Sequence, residues 1–278
     1  EAVPAALHFI GATSPVGHLL EITAGAARLV ERAHRKGADL IIVNTSGLVT
    51  GGIARALKSA KIRLLSPSHI VSISPAGETA AILAGLPKQS GGHGPVVHRL
   101  TPSRQAAGRG PEERRQRRES RFAAYFQRAT EIEMDFNDIA IQGVVWLSGE
   151  PLDGVARSYA EECLEAEVLW GERTAEGAFF IVEGTPNPSG EEALAETFER
   201  GVKVIERWVL ENLLVGLIDH DGEDIALGII KAVDFKQRRM TILAPLAGAE
   251  NVGGLRMGNM RLSPEGAELG GLPLSTWR

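Results

Sequence analysis

Cysteine is almost missing from this sequence: Cys163 is the only one in 278 residues. A single thiol excludes a disulfide framework and any thiolate metal cluster built within one chain, and it fits a reducing compartment such as the cytoplasm. Long apolar runs are missing too. No stretch approaches the roughly 18 uninterrupted apolar residues of a membrane span, so no membrane anchor is expected. The seven histidines include no helical pair with an intervening Glu, and His18 and His34 stand too far apart on a helix for one zinc site, so no metal-ligating residue is assigned. The chain opens Glu1-Ala2-Val3-Pro4 without an initiator Met, a basic leader or an apolar signal core, and it reads as a piece of a longer polypeptide or a processed product.

What is present is globular. Hydrophobic residues make up 44% and charged residues 23%, a composition that excludes a disordered tail, and the length suffices for one large domain or two modest ones. Residues 5–86 alternate short apolar runs with helical periods, the texture of βαβ units on a parallel sheet. Strands are expected at Ala5–Ile10, at Asp39–Val43 as a central strand apolar on both faces, and at His69–Ile73. Helices are expected over 16–36, where Leu19, Ile22, Ala26, Leu29 and Val30 share a period, over 53–65, and around 78–86. Gly, Pro, Ser and Arg dominate 91–110, which reads as a mobile loop, and Pro111-Glu112-Glu113 starts a helix.

After about Met134 the pattern shifts to short strands: 139–147, 179–183, 213–219, 226–233 and 240–243, with one helix over 191–212 and a surface linker at 184–190. Two domains follow, a partial α/β domain at 1–130 whose Arg-rich lid spans about 99–128, and a β-rich domain at 131–278. The four tryptophans, all in the second domain, are expected to be buried.

The formal net charge of −5 hides a strong polarity, because residues 99–128 hold nine Arg against three Glu, a local balance of +6 that leaves −11 elsewhere. Five of the arginines fall within Arg114–Arg121. On a helix Arg114, Arg118 and Arg121 share one face while Phe122 and Phe126 turn toward a neighbouring apolar stripe. Guanidinium binds phosphate with a two-pronged geometry that Lys cannot match. The arginines are therefore read as a phosphate-binding lid ahead of a merely solvated basic face. In an open parallel sheet ligands bind beyond the carboxyl ends of the strands, which puts Gly11–Pro15 and Asn44–Gly52 on one rim. Both loops offer hydroxyls and glycine, suited to phosphate contacts, although capping of the next helix is the competing reading. Gly52–Ser59 superficially matches a phosphate loop, but with the wrong spacing and no glycine before Lys58.

Taken in order, Phe9-Ile10-Gly11-Ala12-Thr13-Ser14-Pro15, then Leu40 through Gly51 with its Asn44-Thr45-Ser46-Gly47-Leu48, then Arg114 through Arg121 ending in Tyr125-Phe126, resemble the P-loop RNA polynucleotide 5′-hydroxyl kinase family. The strands at 214–218 and 240–246 look like that family's small β domain. The resemblance implies a P-loop NTPase-type parallel sheet with flanking helices and a transfer of the γ-phosphoryl of ATP, with Mg²⁺, to a nucleic acid 5′-hydroxyl end, RNA ahead of DNA. It carries the catalytic lid to Arg114, Arg118 and Arg121, and substrate binding to Thr13, Ser14, Asn44, Thr45, Ser46, Gly47 and Leu48. Two departures stand out. Leu48 occupies the place where many members stack an aromatic on a substrate base, and the Walker A lysine with its loop is expected upstream of Glu1. The chain alone is accordingly expected to be inactive. A catalytically inactive nucleotide-binding regulatory protein of the same fold is the alternative, and a GTPase-like switch ranks last because no Asn-Lys-x-Asp guanine reader follows His69–Ile73.

Overall fold

The computed structural model describes residues 4–74, 77–86, 94–105, 108, 110–199 and 201–277. The chain divides into two compact units, Glu1–Arg114 and Arg115–Arg278. The compact units part within the arginine-bearing helix, whose greater part belongs with the second unit.

In the first unit, α1 (Leu19–Arg35), α2 (Gly51–Leu65), β1 (His69–Ile73), α3 (Ala80–Ala84) and β2 (Val96–Leu100) precede α4 (Pro111–Phe126), which crosses into the second. The amphipathic helices form where periodicity places them, and α1 packs on α2 while α2 packs on α3. Gly25, Ala54, Leu57 and Ile82 are the buried apolar positions of these helices, Gly25 closely against the His8 ring. β1 and β2 pair in parallel, His69 opposite Val96 through Ile73 opposite Leu100.

Three expectations are corrected here. The strand expected at 39–43 is irregular and open to water, with Leu40 78% and Ile42 83% exposed. At 5–10 only a single bridge residue, Leu7, replaces a ladder. A strand exists only through its neighbour, and apolarity on both faces prescribes burial between two layers that the described residues of this unit do not build. The expected loop at 91–110 instead contributes β2; the remainder of that expectation falls partly on residues outside those described.

The second unit is a mixture of antiparallel and parallel pairing. Its larger sheet has the order β13-β12-β9-β10-β11-β3, with β4 beside β12. The strands are β3 (Thr130–Asp135), β4 (Ala140–Gln142), β9 (Leu213–Ile218), β10 (Asp224–Asp234), β11 (Arg239–Ala244), β12 (Gly254–Leu262) and β13 (Glu268–Gly271). β9 is apolar at every position but Gly216 and buried throughout, as a strand in the middle of a sheet with both faces covered should be.

The smaller sheet runs β5-β6-β7-β8: β5 (Glu150–Pro151), β6 (Glu167–Thr174), β7 (Gly177–Glu183) and β8 (Gly201–Glu206), with β7 and β8 parallel. Alternation along β7 divides the unit into two cores. Phe179 and Ile181 enter the large one with Trp146, Leu213, Leu217 and Met240. Phe180 and Val182 face the other way into a smaller cluster with Leu164 and Leu194. That second cluster is roofed by α5 (Gly154–Leu164) and α6 (Pro188–Phe198).

The helix expected over 191–212 is corrected to α6 followed by β8 and a single 3₁₀ turn at Arg207–Val209. Glu199 in the left-handed region (φ 53°) stops α6, and Val202, Val204 and Ile205 are β-branched strand formers. The linker expected at 184–190 in fact starts α6, with the Asn187 side chain accepting from Ser189 N (3.0 Å) and Pro188 at the first turn. Gly190 must be glycine: a Cβ there would stand 1.9 Å from the Cys163 carbonyl oxygen. Trp146 is buried as expected, whereas Trp208 is 43% exposed beneath the Arg261 guanidinium, 4.9 Å from its ring centre.

Candidate functional site

The rim loops of the first unit come out unequal. Thr13 and Ser14 lie exposed in the turn before α1; Ser14 Oγ accepts from Val16 N at 3.3 Å within that turn and does not cap the helix, whose N-cap is His18. The loop Asn44–Thr50 is tied down more firmly. It runs into the N-terminus of α2, where Gly51 (φ 84°) makes the turn and the first turn carries no acidic residue. Lys58, about two turns into α2 and only 8% exposed, reaches back: its Nζ donates to Thr45 Oγ1 at 2.7 Å and to the Ser46 carbonyl oxygen at 2.5 Å. Burial, and secondarily the Lys61 ammonium, pulls the Lys58 pKa below its ordinary value. Asn44, Thr45, Ser46 and Gly47 are exposed while Leu48 is half-buried. Backbone amides at the positive end of α2, flanked by a buried cation, make this loop receptive to an anion. Among the described residues no hydrogen bond joins Thr13 or Ser14 to the 44–48 loop.

Lys58 was missed as a site residue because it sits in the segment dismissed as a false phosphate loop. A signal existed: it falls on the same helical face as Ala54 and Leu57, and a lysine inside an apolar stripe needs a partner. That segment is helical from Gly51 onward, so beyond the open amides of its first turn its N–H groups are spent within α2, and it forms no loop that could wrap a nucleotide phosphate. The described residues thus do not fit the triphosphate cradle that ATP and Mg²⁺ would need.

The arginines of α4 divide into two groups. Within the second unit, Arg118 donates from Nε to Glu268 Oε1 (2.6 Å) and from Nη2 to Glu268 Oε2 (2.9 Å), a two-pronged ion pair. The hydrogen bond to Glu268 is the chief cause that raises the Arg118 pKa above its already high ordinary value. Arg115 donates to the Glu268 carbonyl oxygen (3.1 Å) and to Glu119 Oε1 (3.0 Å), and Glu119 Oε1 also accepts from Glu268 N (3.0 Å). That backbone bond, followed by the one from Arg115, holds the Glu119 carboxyl below the usual range. Tyr125 Oη accepts from Leu227 N at 2.8 Å, and Phe126 is buried, the anchoring role expected of it. Arg117 and Arg121 are exposed, with no ion-pair partner among the described residues, and Arg114 is exposed where the first unit ends. So Arg114, Arg118 and Arg121, expected to act together, differ: Arg118 is engaged with a carboxylate 150 residues away, which no local spacing could reveal.

Residues 2–128 match the family model described as "mRNA cleavage and polyadenylation factor CLP1 P-loop". The polyribonucleotide 5′-hydroxyl-kinase of Thermococcus kodakarensis is 31% identical over 263 residues, covering 95% of this chain and 71% of its own length. Those of Methanocaldococcus jannaschii and Pyrococcus abyssi are 30% and 27% identical, over 97% and 95% of this chain and 72% and 70% of theirs. Among solved structures, a wild-type Clp1p–Pcf11p complex is similar at a TM-score of 0.49 and 10% identity, covering 88% of this chain and 52% of that one. The chain thus spans about seven tenths of these curated relatives and about half of the solved chain. The order of motifs, the arginine helix and a relative at this identity over nearly the whole length lead to one assignment: the chain belongs to the polyribonucleotide 5′-hydroxyl-kinase family.

Proposed function

We propose that this chain supplies the acceptor side of an ATP-dependent kinase that phosphorylates the 5′-hydroxyl end of a nucleic acid, RNA ahead of DNA, in cytoplasmic RNA processing. The observation that carries the reading is the loop 44–50, held at the positive end of α2 by the buried Lys58 inside the family-matched region. In this reading Asn44–Leu48 with Thr13 and Ser14 receives the terminal nucleotide; the α4 arginines, taken by themselves, suit the binding of phosphate charge. Loop amides and guanidiniums suit that task because charge on the transferred group is spread over its equatorial oxygens. ATP with Mg²⁺ would supply the phosphoryl group; the residues described hold no cradle for it.

The test is transfer of labelled γ-phosphate from ATP to a 5′-hydroxyl oligoribonucleotide by the complete gene product, with an oligodeoxyribonucleotide in parallel. Transfer that falls by orders of magnitude in Arg114→Ala/Arg121→Ala supports the reading. A folded, ATP-binding protein that transfers nothing refutes it. That negative outcome favours a second reading, a regulatory protein that binds nucleotide without turnover. Leu48 speaks for it, since an aliphatic side chain offers no face for base stacking.

A further inference from the structure

We propose that Glu268 is a positioning residue for the arginine helix: it takes Arg118 as an anchor and thereby leaves Arg117 and Arg121 to meet substrate phosphate. This deepens the reading of α4 as a phosphate-binding element and rests on it.

One short segment grips α4 at several points. Glu268 meets three side chains of about one turn of α4: its carboxylate takes Arg118 with both oxygens, its carbonyl oxygen takes Arg115, and its amide donates to Glu119. Two residues earlier, Gly266 (φ 88°) lies so close to α4 that a Cβ would stand 2.3 Å from Ala123 N, so the segment is shaped to the helix. Tyr125 closes the contact further along at Leu227. The Glu268 side chain is 14% exposed. A phosphate replacing it on Arg118 would leave a shielded carboxylate facing another anion, a cost of the kind that breaking a buried pair carries.

The helical wheel supports the same division. At about 100° per residue, Tyr125, Arg118, Phe122, Arg115 and Phe126 fall within one arc of roughly 100°. On the side away from Arg115, Arg121 and Arg117 lie about 60° and 100° round from Arg118, where the helix is open to solvent. They are four residues apart and face the same way. Anchoring through Arg118 therefore fixes the direction in which Arg117 and Arg121 are presented and keeps the helix from rotating.

The test uses the 278-residue chain and a fluorescein-labelled 5′-hydroxyl oligoribonucleotide, with binding read by anisotropy across a salt series and folding checked by thermal melts. Arg118→Glu and Glu268→Arg should each weaken binding about tenfold, a drop equal to about 1.4 kcal/mol. The double exchange rebuilds the pair with unchanged net charge and should return affinity to within about twofold of the original. Arg121→Ala should lower the slope of log K against log salt by about 0.7, one phosphate contact on a single strand, while the double exchange leaves that slope unchanged. Glu268→Gln, the mildest change, should weaken binding a few-fold without altering the slope.

A double exchange that stays weak and loses slope would make Arg118 a direct phosphate ligand and overturn the proposal. Tighter binding by Glu268→Gln would overturn it as well, because Glu268 would then be masking Arg118. If Arg117→Ala/Arg121→Ala binds like the original chain, or the original chain binds no RNA, the reading of α4 itself fails, and the proposal with it. Loss on that double alanine without rescue by the exchange fails the Glu268 assignment alone.

Discussion

The two units use similar amounts of aliphatic sequence to opposite effect. In the second, β7 and β9 are buried almost to the last residue: two clusters on opposite faces of the smaller sheet take the side chains of β7, and the larger of them also takes Leu213, Val215 and Leu217 of β9. In the first, Leu20, Leu40 and Ile42 are 81%, 78% and 83% exposed, and Val71 and Ile73 of β1 stand more than half in water. The second unit shows what a completed layered architecture does with such runs. The first shows that the pattern of a buried strand is a demand for neighbours, which a two-stranded pair with three helices does not fill. Its candidate site accordingly draws order from polar ties, Lys58 above all, while the anchoring of α4 draws on a finished core.

Side-chain truncation gives the largest way to break this contrast. Leu217→Ala, fully buried in the large core, should destabilise by about 3 kcal/mol, whereas Ile42→Ala should change stability by less than about 0.5 kcal/mol. Urea melts measure both, and equal costs would mean that 39–43 is packed in solution.

Next in size is Lys58→Met. Losing a charged donor from two acceptors should loosen residues 44–50, with amide exchange there rising about tenfold while β7 and β9 keep their protection. The same variant tests a sign. Because burial lowers the Lys58 pKa in the folded chain, the folded state holds fewer protons than the unfolded one between that lowered value and 10.5, so stability rises with pH across the window. Lys58→Met should reduce that rise.

The smallest effect concerns Glu172 in the second unit. It is 1% exposed, takes a hydrogen bond from Trp170 Nε1 at 3.1 Å on Oε2, and leaves Oε1 without a partner in the structure. Burial raises its pKa, outweighing the bond from Trp170 and the nearby amides of Ser148, Leu147 and Gly149, which favour the charged form. Here the folded state holds the extra proton, so stability falls as pH rises from 4.5 toward the raised value. Glu172→Gln should flatten that decline in urea melts repeated across pH, and an unchanged slope would show that another group causes it.

Much of this was legible beforehand. The helices α1, α2 and α4, the strands β1, β7, β9, β10 and β11, and the order of motifs follow from periodicity and turn residues, which act over a few residues. α5 and β6 escaped because Asp153 as a cap, accepting from Ala156 N at 2.8 Å, is a weak signal among many polar residues. Of the site, the Asn44–Leu48 loop and the arginine helix were readable, since guanidiniums and hydroxyl-rich turns advertise anion chemistry by composition alone.

By itself, then, the sequence determined the helices α1, α2 and α4, where charge of each sign concentrates, and which family the motif order resembles, because these depend on residue type and local spacing. Only the tertiary structure decided that 39–43 finds no ladder, that Lys58 holds the loop at the head of α2, and that Arg118 belongs to Glu268. Each depends on which residues distant in sequence come into contact, and hydrogen bonds act only over about 3 Å.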